Sequence, residues 1–233
     1  MGNVYFISGT DTGTGKTIAT GMMARFLLGR GVKTATVKLV QTGCHNFSED
    51  LDMHRKLMGI GRIPEDDAGW TAPQIFDFPA SPHLAAALEH RTVDTEKIAE
   101  SVRKTAENYD ITLAEGAGGL AVPLTEDLLT VDFAARQKWN VILVTSGKLG
   151  AINHFLLSLE ALIRRGMKLT GVVWNYSPEA DPVIDGDSPE LIGKYLRKTG
   201  RNIPLIRLGK TDPEQPEQAD LPDFSPFFRE LDS

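Results

Sequence analysis

Gly9-Thr10-Asp11-Thr12-Gly13-Thr14-Gly15-Lys16-Thr17 stands where one hydrophobic pattern gives way to another. Ahead of it, residues 4–7 are an apolar, β-branched and aromatic run that reads as a strand; behind it, Ile18, Met22 and Phe26 recur at helical spacing. Such a junction has a physical use. Glycines at 9, 13 and 15 let successive backbone N–H groups turn inward, and the first helical turn adds its unpaired N–H groups and positive dipole end. Anions settle there. Lys16 places an ammonium between terminal phosphates, and the Thr17 hydroxyl is the type of ligand that holds a phosphate-bound magnesium ion. The match is to a variant of the phosphate loop, because Thr10 stands where the strict pattern has its first glycine and Gly9 lies one place earlier. The plain alternative, a glycine-rich turn with no ligand, fits poorly with Gly-Lys-Thr between a strand and a helix.

Composition narrows the remaining choices. The 233 residues fit one α/β domain, 1–233, with a full core, whereas two independent domains would be cramped. A formal charge of -6 with no basic tract disfavours nucleic acid or an anionic membrane as the main partner, since both would repel the chain. Small molecules are the expected ligands. The single cysteine, Cys44, rules out an internal disulfide framework and a cysteine zinc site, and it fits the reducing cytosol. No stretch is long and apolar enough to span a bilayer, and the first residues enter a strand rather than a signal peptide, so a soluble cytoplasmic protein is expected.

Further along, the first helix ends near Gly29 to Gly31, and residues 33–40 close a β-α-β unit as a second strand. That strand delivers Lys38 beside the phosphates. A lysine in an otherwise apolar strand end costs desolvation unless an anion meets it; the alternative is a side chain that snorkels to the surface. Thr42, Gly43 and Cys44 follow as a loop on the same edge, where parallel sheets carry their ligands. Glu49–Met58 has helical periodicity and an acidic start. Asp50 and Asp52 are both candidates for a magnesium contact, and ordinary helix-start acidity accounts for either alone. Residues 59–80 are rich in Gly, Pro and polar residues and are expected to loop across the site, before Ser81-Pro82 begins a helix with His83 in its first turn.

Residues 94–109 read as an amphipathic helix capped by Asp94 or Thr95, and residues 111–114 as the strand after it. Glu115-Gly116-Ala117-Gly118-Gly119 then places a carboxylate at the strand's end and lets the backbone come close to a ligand. A carboxylate there serves a metal or a positively charged substrate, or caps a turn. Residues 130–138 form a short helix, 141–145 a buried strand, and 146–153 a loop opening the helix that runs to Arg165. Lys148, Gly150 and Asn153 make that helix start a second anion site, suited to a carboxylate. The strand at 169–174 ends in Asn175, whose paired donor and acceptor groups suit a purine edge and equally suit a turn. Ser188-Pro189-Glu190 is expected to start a last long helix, followed by a strand at 203–206 and a short segment around Phe227. The pattern as a whole is α/β: a mostly parallel sheet, of the P-loop NTPase type, with helices on both faces.

With the phosphate loop, Lys38, Ser81-Pro82-His83, residues 115–119, Lys148-Leu149-Gly150-Ala151-Ile152-Asn153-His154 and Asn175 in this order, the chain resembles the dethiobiotin synthetases, ATP-dependent ring-closing enzymes of biotin synthesis. The resemblance implies that CO₂ adds to one amine of 7,8-diaminononanoate, that ATP phosphorylates the carbamate, and that the second amine displaces phosphate to close a cyclic urea. Activation is the role of ATP here, because a carbamate oxygen leaves poorly and its phosphate anhydride leaves readily. It further implies that Lys16 and Lys38 stabilise the transferred phosphoryl group, that Gly13, Thr14, Gly15, Lys16, Thr17 and Ile18 cradle the nucleotide, and that Thr17, Asp50 and Glu115 hold Mg²⁺. Thr12, Lys38 and Thr42 would contact the carbamate or diamine end, with Gly116, Ala117 and Gly118 bordering both substrates. Lys148, Leu149, Gly150 and Asn153 would take the substrate carboxylate from the partner subunit, which implies a homodimer. Asn175, Tyr176, Leu208 and Gly209 would read the base. The chain departs from the family pattern in carrying Gly13 where many relatives have Glu, Thr42 for Ser, and Arg207-Leu208-Gly209 where Gly-Glu-Ile-Pro is usual, which leaves the preference for ATP open.

A different class of protein shares the loop: nucleotide-switched ATPases that position other proteins. They need a second lysine early in the loop, and Asp11 stands there with a charge that would repel a partner's phosphates.

Overall fold

Runs of β-branched and aromatic residues alternate with amphipathic helices through most of the chain, the arrangement that builds a parallel sheet covered on both faces. The structure, a computed structural model, describes residues 2–200 and 202–228. In chain order its elements begin with β1 (Asn3–Gly9), α1 (Lys16–Gly29), β2 (Thr34–Lys38), β3 (Gln41–Thr42), α2 (Glu49–Met58), α3 (Pro64–Asp67), β4 (Ile75–Phe76) and α4 (Pro82–Leu88). There follow α5 (Thr95–Asn108), β5 (Ile111–Gly119), β6 (Pro123–Thr125), β7 (Leu128–Leu129), α6 (Thr130–Arg136) and β8 (Asn140–Ser146). The last are α7 (Ala151–Arg164), β9 (Leu169–Asn175), α8 (Pro182–Lys198) and β10 (Leu205–Leu208).

Six of these strands make one parallel sheet in the order β10-β9-β8-β1-β5-β2. The chain works out to β2 and back to β5 on one side of β1, then crosses to β8, β9 and β10 on the other. Loops leaving the carboxyl ends therefore part at β1, and a crevice opens where they part. The phosphate loop stands in that crevice.

Strict alternation along β1 divides the core. Val4 and Phe6 face the layer that includes Val102, Phe133, Phe155 and Ile192; Tyr5 and Ile7 face the layer of Met22, Met23, Leu27, Leu57 and Phe227. All are buried, and each large side chain among them contributes on the order of 1.5–3 kcal/mol by leaving water. Gly171 has a specific reason to be glycine: a Cβ there would lie 2.2 Å from the ring of Phe227, which seals this layer against β9. Among the described residues no helix is long and apolar enough to cross a membrane.

Several boundaries differ from the sequence expectations, each for a local reason. The last long helix starts at Pro182, not Ser188, because the Asp181 carboxylate accepts from the N–H groups of Val183 and Ile184 and caps it. Pro189 thus lies inside the helix and gives no N–H to the Asp185 carbonyl. Arg207 Nη2 supplies that bond instead, 3.1 Å from Asp185 O, and lies 3.4 Å from Gly186 O. The final strand occupies Leu205–Leu208 rather than 203–206, just past Pro204, whose carbonyl accepts from Val172. The strand after α5 does not stop at Ala114 but runs to Gly119, so Glu115 lies within it. Residues 59–80 are not wholly loop: α3 forms there under Arg55, and β4 pairs with β3. The β6–β7 hairpin was not expected from the sequence; its strands are too short to show a period.

Candidate nucleotide site

Five elements bring polar groups to one cavity of about 410 Å³ at the carboxyl edge of the sheet. The phosphate loop forms its floor. Gly15, in the left-handed region at φ 82°, caps α1 without any side-chain cap, so the first helical N–H groups remain directed into the cavity. A Cβ on Gly15 would lie 1.8 Å from Asn175 Nδ2, which donates to Thr14 O at 3.1 Å. The end of β9 is thereby pinned against the loop.

Lys16 lines the cavity and is 7% exposed; its Nζ donates to Asp11 O across a long 3.4 Å. Burial pulls this ammonium down to about 8, the nearby carboxylate of Glu115 opposing and the charge of Lys38 assisting. A polyanion arriving here would meet a cation that gains more from it than from its present partner.

Lys38 closes β2 and is met by anions from the protein itself. Its Nζ lies 2.5 Å from Asp50 Oδ2 and 2.8 Å from Glu115 Oε1, and donates to Gly116 O at 3.1 Å. Burial alone would lower its pKa, but the charges of Glu115 and Asp50 outweigh burial and raise it. The same pairing, joined by a hydrogen bond from His54, holds the fully buried Glu115 well below the usual carboxylate range against its own desolvation.

Thr17 completes the cluster: its hydroxyl is 3.0 Å from Asp50 Oδ1 and 3.2 Å from Glu115 Oε1. Asp50 and Asp52 now separate. Asp50 points into the cavity from the first turn of α2, whereas Asp52, two positions on, falls on the exposed side. Ser48 sets this helix start, accepting from Leu51 N–H and donating to Gln41 Oε1 at 2.7 Å, so α2 is tied to the cavity wall.

Thr12, Gly13, Ile18, Thr42, Ala117 and Gly118 also line the cavity, while Thr14 and Gly116 stand just behind its surface. The other residues singled out lie apart. Lys148 reaches toward the phosphate loop, 3.6 Å from where a Gly13 Cβ would be, and pairs with Glu179 at 3.3 Å. Gly150 caps α7 with φ 90°, Asn153 is exposed, and Leu149 is 89% exposed and touches neither cavity. Leu208 requires a correction: it is a buried strand residue packed in the core, and only its carbonyl, which accepts from Tyr176 N–H, faces outward toward the end of β9. Gly209 and the half-exposed Tyr176 flank it. Sequence reasoning passed over Gln41 and His54. The second carried a usable signal, since it lies four residues after Asp50 on the same helix face.

A second cleft of about 400 Å³ adjoins the first across Thr12. Its walls are largely apolar: Leu120, Val122 and Pro123 on one side, Leu157 and Ala161 of α7 on the other.

Comparison with known proteins places this arrangement. Residues 3–207 match the family described as the AAA domain. The ATP-dependent dethiobiotin synthetase BioD 2 of Pasteurella multocida is 47% identical over 202 residues, covering 87% of this chain and 95% of its own length. BioD 2 of Haemophilus influenzae is 50% identical over 184 residues (79% and 96%), and BioD of Chlorobaculum tepidum 47% identical over 208 residues (89% and 87%). Among solved structures, the signal recognition particle receptor FtsY from Elizabethkingia anophelis superposes with a TM-score of 0.54 at 15% identity, covering 100% of this chain and 66% of that one. The pNOB8 ParA bound to nonspecific DNA gives 0.53 at 14% identity, covering 85% and 76%. At that distance the structures speak for the P-loop fold alone. The curated relatives match along nearly their whole lengths, and so the chain belongs to the family of ATP-dependent dethiobiotin synthetases.

Proposed function

We propose that this chain, as one ligase domain, closes 7,8-diaminononanoate with CO₂ into the cyclic urea dethiobiotin, using ATP and Mg²⁺ in the cytoplasm. One observation carries the reading: Lys16, Lys38, Thr17, Asp50 and Glu115, from four separate elements, converge on a single cavity over the phosphate loop.

The residues fit a magnesium ion. Two carboxylates and a hydroxyl are hard oxygen donors, and Mg²⁺ is ordinarily held by one or two carboxylates together with substrate phosphates and water. Bound there, it would supply positive charge to offset the charge on the transferred group. Thr17, Asp50 and Glu115 are the residues that would hold it.

The protein's own tasks follow from the geometry. Backbone N–H groups of residues 13–18 take the phosphates. Lys16 and Lys38 flank the γ-phosphoryl as it passes to the carbamate oxygen, and both act in a water-poor site where fixed charge counts for more. Lys38 arrives already oriented by its two carboxylates. Thr12 and Thr42 offer hydroxyls to the carbamate and the diamine. An amine with a pKa near ~10.4 is neutral in roughly one molecule in a few thousand at pH 7, so the site must select or generate the free base. Once the mixed anhydride exists, the second amine attacks its carbon and phosphate departs.

The cleft beyond Thr12 suits the substrate's apolar stem. Lys148, Leu149, Gly150 and Asn153 of a second copy would receive the carboxylate. Exposure of Leu149, Leu157 at 57% and Ile163 at 44%, the first just ahead of α7 and the others on it, supports a homodimer built on this helix. Asn175, Tyr176, Gly209 and the Leu208 carbonyl would border the base.

Incubation with diamine, bicarbonate, Mg²⁺ and ATP tests the reading: phosphate and a cyclic urea appear together by mass spectrometry. ATP turnover indifferent to the diamine would count against it. Light scattering is expected to give about twice the 25.5 kDa chain mass.

A further inference from the structure

Behind the carboxylate that closes the cavity stands a histidine buried as completely as the carboxylate itself. His54 follows Asp50 by one turn of α2, so the helix presents both side chains to β5. Its Nε2 lies 2.8 Å from Glu115 Oε2 and its Nδ1 3.1 Å from Thr36 Oγ1. The hydrogens in this chain can be counted. An ionised carboxylate only accepts, so Nε2 carries the hydrogen of the first bond. A guanidinium only donates, and Arg55 Nη1 donates to Thr36 Oγ1 at 2.8 Å. The threonine's own hydroxyl hydrogen is then available to Nδ1, which fixes the Nε2–H tautomer. Glu115 therefore has a donor at Oε2.

The other carboxylate oxygen has different work. Oε1 lies 2.8 Å from Lys38 Nζ and 3.2 Å from Thr17 Oγ1, on the cavity side. The terminal torsion of a glutamate is broad and roughly two-fold, so a carboxylate held at one oxygen only is free to swing about that contact. We infer that His54 is a positioning residue: by taking Oε2 it keeps Glu115 turned so that Oε1 alone faces the cation and the phosphates. The inference rests on the placing of Glu115 among the magnesium ligands above. His54 in turn is set by Thr36 and Arg55, so the orientation of the metal-facing oxygen is fixed from the interior of the protein and not from the substrate side.

Groups that hold a metal ligand from behind are typically worth about 10–100-fold in metal affinity or activity. The test is Mn²⁺ binding, read by electron paramagnetic resonance, with a non-hydrolysable ATP analogue present. His54→Asn reaches Thr36 but not Glu115, and His54→Leu reaches neither; both are expected to weaken Mn²⁺ about tenfold or more. His54→Gln places an amide N–H where Nε2 was, and is expected to stay within about threefold of the unaltered protein. In turnover, the Asn and Leu forms raise the Mg²⁺ needed for half-maximal rate more than they lower the rate at saturation. Equal Mn²⁺ affinity in all forms would overturn the inference, as would a Gln form no better than the Asn form, which would mean packing alone. The Gln and Asn forms both keep a polar group in the slot, so the comparison stands even where the Leu form fails to fold. Absence of nucleotide-dependent Mn²⁺ uptake by the unaltered protein would instead remove the metal site itself.

Discussion

Helix α2 serves two buried ion clusters, linked through Thr36 and His54, and they are bonded quite differently. On one side Arg55 makes a two-point clamp on Asp66, Nε to Oδ2 at 2.8 Å and Nη2 to Oδ1 at 2.6 Å. Thr71 and the Ile63 N–H complete the carboxylate, which therefore accepts four hydrogen bonds. On the other side Lys38, Asp50, Glu115 and Thr17 share bonds among themselves, and Lys16 lies nearby with a long one. The first cluster is saturated by protein; the second borders a cavity and holds cationic capacity in reserve. Buried charge is thus a poor marker of function by itself, and unspent bonding directed at open space is the better one.

The sharpest way to break this contrast is Lys38→Ala. Turnover should fall roughly 10²–10³-fold, as when a preorganised charge is lost from a reacting centre, while nucleotide still binds in a fluorescence titration. Unchanged turnover would strike Lys38 from the mechanism and make the two clusters alike.

Asp66→Ala is expected to do the reverse. Leaving Arg55 buried without its partner costs about 3 kcal/mol in urea unfolding, the low end for such pairs because the guanidinium keeps its bonds to Thr36. Turnover per folded molecule at saturating Mg²⁺ should fall far less than in Lys38→Ala, because Asp66 reaches the cavity only through Arg55, Thr36 and His54. Acid sharpens the same point. The bonds from Arg55 and Thr71 outweigh desolvation and lower the Asp66 pKa, so its stabilisation is complete above the ordinary aspartate value near ~3.9 and is lost as pH falls through the depressed one. The stability gap between the unaltered protein and Asp66→Asn should be flat above pH ~5 and close below it.

Lys16 gives a smaller effect of opposite sense. With its pKa lowered to about 8 by burial, nucleotide binding above that pH is expected to return a proton to it. Calorimetry in buffers of different ionisation heat should show uptake approaching one proton, with affinity falling at most about tenfold per pH unit. Lys16→Arg should abolish the uptake; if it persists, another group is responsible. Thr42→Ser is the smallest change. It keeps the hydroxyl on the cavity wall, and turnover within about twofold is expected.

Much of this was legible without coordinates, and for identifiable reasons. The phosphate loop, α2 and the strands under it declare themselves by period, glycine placement and caps, all of which are local. Lys38 was flagged by its cost in an apolar strand, although the anions that meet it, Asp50 and Glu115, come from elements far along the chain. What stayed hidden was pairing at long range. Nothing near His54 in the sequence announces Thr36 or Glu115, and the apolar pattern at 203–206 puts Leu208 beyond the strand that in fact ends on it. The start of α8 was missed because Ser188-Pro189 carries the letters of a helix beginning, while Asp181, the true cap, precedes a proline as well.

The arginine that covers the gap left by Pro189 has one more consequence. Arg207 belongs to the edge strand that carries the chain to Gly209, so a proline in a distant helix helps to hold the rim where a base would rest. A residue with an N–H at 189 would give the Asp185 carbonyl a partner within the helix and leave Arg207 its pairing with the Asp185 carboxylate at 3.5 Å and its contact with Gly186 O. Helix and edge strand would then be joined mainly by an exposed charge pair, so their tie would loosen as salt rises.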